Sequence, residues 1–287
     1  MTCGSCDSSS PPERAAQYDA IAELYDGYPG NYLEDIVFFA EEATRAGSPV
    51  LEIGVGSGRL AFCLAAVGLD VVGIDSSVEM LRALARKRAQ AGELRGRVDV
   101  LAGDMRRFAL RPRCFGSSTA EASPGFPLAI IAFRTFLYLL TKADQRRALR
   151  CVRRHLAPGG LLAMSFFVPP RELLARGRTE AAKMTRFPAP DGSGEVIATD
   201  WAEFLPARQR VISHITYEWR DAADRPLRQV AHDLVARYVF PEEVPPLLES
   251  CGLEVVEAYG GFDRRPLTET SREQIWLATP IAKKRGS

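Results

Sequence analysis

Between Val50 and Arg59 the chain reads Val-Leu-Glu-Ile-Gly-Val-Gly-Ser-Gly-Arg, an apolar run that breaks into three glycines spaced two apart. Gly54, Gly56 and Gly58 permit a sharp turn and let the backbone approach a ligand closely. A helix opening just beyond them would aim unpaired N–H groups and its positive dipole end at the same ligand. A dinucleotide fingerprint would place its third glycine at position 59. Arg59 stands there instead, which weakens an NAD reading. Asp75 follows 21 residues after Gly54, where a carboxylate can accept both hydroxyls of a ribose. Gly103-Asp104-Met105 comes next: the Asp can take the exocyclic amine of an adenine, and the Met can pack along its ring. Each Asp, taken alone, reads equally well as a helix N-cap. Together, at the ends of three successive strands, the three elements describe one crevice.

Groups able to work on a second substrate are fewer. Of three histidines, His155 closes a helix and reads as structural, and His214 lies on the more polar face of its strand. His232 shares a face with Val230, Leu234, Ala236 and Tyr238. It reads either as a satisfied core residue or as the best general base, since its pKa can sit near neutrality. Arg134 and Phe136 follow the fourth strand at the crevice mouth, where Arg134 offers a site for an anionic group or a surface ion pair. Tyr25, Trp201, Tyr217 and Trp219 line an aromatic substrate cavity or fill a core, and Tyr25 is a second catalytic candidate.

The elements that must position these residues alternate. Val50–Ile53, Leu69–Ile74, Val98–Ala102, Leu128–Phe133 and Leu161–Val168 read as strands, with amphipathic helices between them. That rhythm predicts βαβ units and a mostly parallel, doubly wound α/β sheet covered on both faces. After Pro169-Pro170 the period changes to two, over Val196–Leu205, Val211–Trp219 and Arg228–Val239, which predicts an antiparallel cap across residues 169–239. A helix around Val244–Cys251 and strands Leu253–Tyr259 and Gln274–Ala278 then return to the first sheet, giving seven strands. Residues 13–168 and 240–280 thus form the crevice domain. Residues 1–12 read as a loose tail, and 111–127, rich in Ser, Gly and Pro, as a loose insertion.

With 287 residues, 46% apolar and 25% charged, the chain has ordinary globular composition and length for a sizeable core. Its net charge of +1 argues against a dedicated nucleic-acid binder. No run of about 18 apolar residues or secretory leader is seen, so a cytoplasmic protein, monomer or homodimer, is expected. Cys63, Cys151 and Cys251 sit in apolar helical patterns as small hydrophobes. The Cys3/Cys6 pair has no visible partner for metal or redox work, and no metal site is expected.

On Glu52-Ile-Gly-Val-Gly-Ser-Gly58, Val72-Gly-Ile-Asp75 with Ser76 and Met80, Gly103-Asp104-Met105 and His155-Leu-Ala-Pro158-Gly159-Gly160, the sequence resembles the class I S-adenosylmethionine-dependent methyltransferases. The resemblance covers about residues 18–279. It is greatest to small-molecule enzymes with Tyr-Asp near the N-terminus (Tyr18-Asp19, Tyr25-Asp26), an Arg134-Thr-Phe136 segment and a late Tyr259-Gly-Gly-Phe262-Asp263. It implies that the glycine loop with Glu52 and Arg59 cradles the methionine part of the cofactor and that Asp75 holds the ribose. It also implies that Asp104 and Met105 frame the adenine, that Tyr18 and Phe133 join them, and that N-terminal helices over 13–46 form a lid. The activated methyl asks for positioning and exclusion of water more than for acid–base work. With no evident base or metal site, N-methylation is slightly favoured over O-methylation, possible settings including secondary metabolism. The alternatives are another use of the same cofactor, such as cyclisation, and a non-catalytic cofactor-binding regulator.

Overall fold

The computed structural model describes residues 16–27, 33–110, 125–179 and 183–282. The expected tail with Cys3 and Cys6, and the 111–124 part of the expected insertion, lie outside the described residues. Five strands run parallel: β1 (Val50–Ile53), β2 (Val71–Asp75), β3 (Val98–Ala102), β4 (Phe126–Ile131) and β5 (Leu156–Phe167). They are joined late in the chain by β10 (Leu253–Tyr259) and β11 (Glu273–Pro280). The order across the sheet is β10-β11-β5-β4-β1-β2-β3, with β11 antiparallel to both neighbours. All four residues of β1 are buried, as expected of a central strand covered on both faces.

Those two faces carry separate cores. On one side Leu51, Ile53, Ile131 and Met164 meet Leu149 and Val152 of α5 (Lys142–His155) and Val244 and Leu248 of α7 (Val244–Glu249). On the other, Val50, Leu128 and Ile130 meet Phe38 and Phe39 of α2 (Glu34–Ala46) and Leu60 and Leu64 of α3 (Arg59–Ala66). Helix α4 (Val78–Gln90) adds Leu84 to that second core. Ser77 caps α4 by accepting from the Met80 N–H at 3.1 Å, and Thr141 caps α5 by accepting from the Asp144 N–H at 3.0 Å.

β5 begins five residues earlier than its apolar run suggests. Phe126 pairs with Leu156 and Leu128 with Leu161, so Pro158-Gly159-Gly160 bulges out of the ladder, with Gly159 at φ 74°. After β5 comes α6 (Arg171–Arg176), then a second, antiparallel sheet of β6 (Lys183–Pro188), β7 (Glu195–Leu205), β8 (Arg210–Arg220) and β9 (Pro226–Arg237). Neither α6 nor β6 is marked in the sequence by a long periodic run.

The segment expected as a lid over 13–46 divides in two. Helix α2 packs into the second core, with Phe38 and Phe39 buried, because its apolar face matches the sheet flank. Residues 16–27, beginning with α1 (Ala16–Asp19), lie instead between the crevice and the cap. There Ile21 and Leu24 pack on Val196, Ala198, Ile215 and Tyr217 of the cap sheet.

Candidate active site

The carboxyl ends of β1, β2 and β3 open on a cavity with about 680 Å³ of empty space, part of it open to solvent. Its walls carry Gly54, Gly56, Asp75, Ser76, Met80, Gly103, Met105 and Phe133, with Tyr18 and Tyr25 from the 16–27 segment. Ten residues read from the sequence as cofactor or catalytic candidates therefore stand around one space.

The local structure explains their arrangement. Gly54 and Gly56 have φ of 76° and 55°, in the left-handed region that side chains disfavour. A Cβ on Gly54 would run into the Thr135 side chain, and one on Gly56 would lie 3.1 Å from the Met80 methyl. Asp75 fixes the loop: its Oδ2 accepts from the Gly56 N–H and its Oδ1 from the Ser77 N–H, both at 2.8 Å. Burial pushes its carboxyl above the ordinary value, against these backbone bonds. Each oxygen keeps a lone pair for a further donor. A glycine loop, a carboxylate at the end of β2 and flanking Met80 and Met105 fit a nucleoside-bearing cofactor.

Other candidates support the site from outside its lining. Gly58, at φ 83°, is the residue before α3, and a Cβ there would press on Phe62 and Leu84. Arg59 donates to both oxygens of buried Asp35, with Nη1 2.9 Å from Oδ1, and its guanidinium lies 4.7 Å from the Phe133 ring centre. Glu52 is buried behind the loop, its Oε2 without a hydrogen-bond partner among the described residues. Burial pushes its carboxyl up to about 8, against the attraction of Arg59. Asp104 takes four bonds from Arg106, through its backbone N–H, its Nε shared between both oxygens, and its Nη2. Burial raises its carboxyl, but the Arg106 bonds outweigh that and hold it below the usual range. The structure thus places Asp104 in an ion pair, with Gly103 and Met105 on the cavity wall.

A second cavity of about 1320 Å³ adjoins the first, with Tyr18, Tyr25, Phe133 and Tyr138 in the walls of both. The Tyr18 hydroxyl donates to the Tyr138 hydroxyl, and their rings meet edge to face at 5.2 Å. Burial raises the Tyr18, Tyr25 and Tyr138 phenols well above neutrality. Beyond this wall the cavity is lined by Arg134, Glu273, Ser165 and Phe262 from the crevice domain and by Asp200, Ser213, Tyr217 and Leu234 from the cap. Phe133 and Arg134 both have positive φ, 49° and 67°, a strained pair at the junction of the two cavities. Arg134 lies 3.7 Å from Glu273.

Three substrate-side expectations land elsewhere. Phe136 is fully buried and stacks on Phe166, so it belongs to the core. Trp201 is 40% exposed and stacks on His214 on the face of β7 away from the cavity. The alternation of the strand turns it outward because Asp200 points in. His232 is on the cavity face, paired in register with Ile215, but is absent from the lining and donates from Nε2 to the Gln17 carbonyl. His155 is structural: its Nε2 accepts from the Leu110 N–H at 3.0 Å and its Nδ1 donates to the Cys151 carbonyl at 2.8 Å. Sequence reasoning missed Gln17, Thr135, Tyr138, Asp200 and Glu273. Asp200 had left a signal, as the one acid in the alternating row Val196, Ala198, Asp200, Ala202, Phe204.

Known proteins match this geometry. Residues 50–160 match the family described as methyltransferase domain. An uncharacterized methyltransferase of Geobacillus kaustophilus is 31% identical over 156 residues, 52% of this chain and 64% of that protein's own length. The cypemycin N-terminal methyltransferase of a Streptomyces species is 26% identical over 259 residues, 90% of this chain and 92% of its own. The solved structure of the CcbJ methyltransferase from Streptomyces caelestis superposes with a TM-score of 0.69 at 24% identity, covering 94% of this chain and 98% of that one. Among the described residues no helix is long and apolar enough to cross a membrane. The glycine loop after β1 and the Asp75 carboxylate at the end of β2 both lie within residues 50–160, the part of the chain that matches the methyltransferase domain.

Proposed function

We propose that the enzyme methylates the nitrogen of a small-molecule amine, as an enzyme of the secondary-metabolite type. The observation that carries this reading is the pair of adjoining cavities with a shared wall of Tyr18, Tyr25, Phe133 and Tyr138. When bound, S-adenosylmethionine supplies a methyl group already activated on a sulfonium. Asp75 would accept from the ribose hydroxyls, the Gly54–Gly56 backbone would hold the methionine part, and Met80 and Met105 would flank the adenine. The aromatic wall keeps water from the junction between the cavities.

Nitrogen is favoured over oxygen by the groups at that junction. An alkyl hydroxyl needs a strong base before it can attack. Tyr18, Tyr25 and Tyr138 are held neutral by burial, and a neutral phenol is a poor proton acceptor. A free amine needs positioning more than deprotonation by a strong base. The relative that matches almost the full chain bears a name that places its methyl on an N-terminus, which supports the same chemistry. We place Tyr25 in contact with the reacting groups, and His232 behind the 16–27 segment.

Incubation with methyl-labelled S-adenosylmethionine and a set of amines, each matched to its alcohol isostere, tests the proposal. Label in amines is expected. Label confined to alcohols overturns the nitrogen reading. Tight binding of the demethylated cofactor with no transfer to any component of a cell extract points instead to a non-catalytic role.

A further inference from the structure

The acceptor cavity contains two acids with different surroundings. Glu273 has Arg134 at 3.7 Å. Asp200, on the cavity face of β7, has an Oδ1 that is shut off from solvent and has no hydrogen-bond partner among the described residues. A buried carboxylate oxygen with no donor is unfavourable, and proteins normally avoid it. An apolar residue would have removed the problem, as one does at Ala198 on the same face of β7 and at Ile215, the register partner of Asp200 on β8. Around Asp200 lie Tyr217, Ser213, Ile215 and Leu234, then the phenols of Tyr18, Tyr25 and Tyr138. The lining thus offers aromatic and apolar walls with one acceptor still lacking its donor.

We infer that Asp200 is the anchor for the acceptor's amino group, its carboxyl turning to bring the unpartnered Oδ1 into the cavity it lines and to receive an N–H there. The inference rests on the amine reading above and adds the residue that selects for it. The ligand supplies the missing donor, so the cost of the unpaired oxygen in the empty cavity becomes a preference for amines in the filled one. Alcohols can also donate to a carboxylate, but without the positive charge that makes an ammonium–carboxylate bond the stronger; the ammonium passes one proton to that carboxylate or to water before its nitrogen, then neutral, attacks the methyl group. Asp200 stands on the cap, whereas the cofactor residues stand on the crevice domain. Held between the two, the amine is presented to the aromatic wall that the two cavities share. Ring faces of Tyr18, Tyr25 and Tyr217 suit the apolar remainder of such a ligand and its charge.

The test uses the full-length protein loaded with S-adenosylhomocysteine. Binding of cyclohexylamine and cyclohexanol, and of benzylamine and benzyl alcohol, is measured by ligand-observed NMR for the native chain, Asp200→Asn and Asp200→Ala. The native chain should favour each amine over its alcohol by about 10–100-fold, the scale of one hydrogen bond to a charged group. Both variants should lose that preference. S-adenosylhomocysteine affinity, unchanged because Asp200 is not in the cofactor cavity, reports that the variants are folded. The uncompensated oxygen adds a second readout: Asp200→Asn should melt higher than the native chain in the absence of acceptor. An amine preference that persists in Asp200→Asn, or a variant that melts lower, overturns the anchor while leaving the amine reading intact. A native chain with no preference for amines overturns both.

Discussion

Asp75 holds the glycine loop and faces the cavity proposed for the cofactor at once, so its removal should be felt in cofactor binding first. Asp75→Ala deletes the acceptor for the Gly56 and Ser77 N–H groups as well as the one offered to a ribose. Calorimetry with S-adenosylhomocysteine should show a loss of ~1–3 kcal/mol, the scale for buried polar partners left unpaired; unchanged affinity in a folded variant would move the site elsewhere. Glu52 behaves differently because burial raises its carboxyl to about 8. The folded state then holds a proton that the unfolded state releases near the ordinary glutamate value, so stability falls as pH rises between about 4.5 and 8. Glu52→Gln keeps the shape without the charge. It should flatten that fall and raise Tm at pH 8 by ~2–4 °C, the equivalent of roughly 1 kcal/mol in a chain of this size. A Tm–pH curve parallel to that of the native chain would show that Glu52 is not the titrating group. That Gly54, Gly56, Asp75, Ser76, Met80 and Met105 would surround one crevice was legible in the sequence because each stands at a fixed offset from a strand end. Tyr138, Glu273 and Asp200 were not, since a tertiary fold, not local spacing, brings residues 120 apart to one hydroxyl contact such as Tyr18 to Tyr138.

Among the elements, the 16–27 segment is the one whose position depends most on single bonds. Gln17 is tied to β9 twice: its carbonyl accepts from His232, and its side-chain oxygen from the Val235 N–H at 2.7 Å. Ser77 donates to Asp19, and Asp26 accepts from Ser57 at 2.6 Å and from Lys87 at 3.0 Å. Since Gln17, Tyr18 and Tyr25 all line the cavity proposed for the cofactor, loosening this segment should weaken cofactor binding before it affects chemistry. His232→Ala should raise the cofactor Kd by roughly 2–10-fold, the worth of one ordinary hydrogen bond. Turnover at saturating cofactor should stay close to native, far from the ~10²–10⁴-fold loss of a missing general base. A rate loss of that size at saturation, with normal cofactor affinity, would return His232 to the reacting atoms. The seven-stranded sheet was readable because its strands are apolar runs separated by amphipathic helices. The division of the expected lid was not. Phe38 and Phe39 would look equally apolar over a ligand or against a sheet, and only the core they fill decides between them.

At the scale of the whole molecule, the cap is inserted between strands of one sheet, and the second cavity lies where the two parts meet, with the first beside it. Asp75 and Gly54 belong to one part, Asp200 and Tyr217 to the other, and the 16–27 segment packs on both. Arg237 strengthens the seam where β9 leaves the cap, bonding Gln145 of α5 at 3.1 Å and Glu243 at 3.2 Å. The insertion was visible in the sequence as a change of period after Pro169-Pro170, though not which of its faces would meet the crevice. The sheet order has a consequence for how the chain comes to be folded. β10 is an edge strand whose one neighbour is β11, and β11 also covers the side of β5. Cap hairpins such as β7–β8 join residues close in sequence, whereas Trp276 must find Met164 across more than a hundred residues. Local pairings form early and distant ones late, so a chain emerging from the ribosome should complete its cap while β5 still shows an open edge. Pulse-labelled hydrogen exchange during refolding should protect β7–β9 amides before those of β10 and β11; simultaneous protection would indicate a single cooperative step. A chain ending before Glu273 would keep that edge open for good, leaving two strands unpaired at once, and should accumulate as aggregates in the manner of unprotected sheet edges.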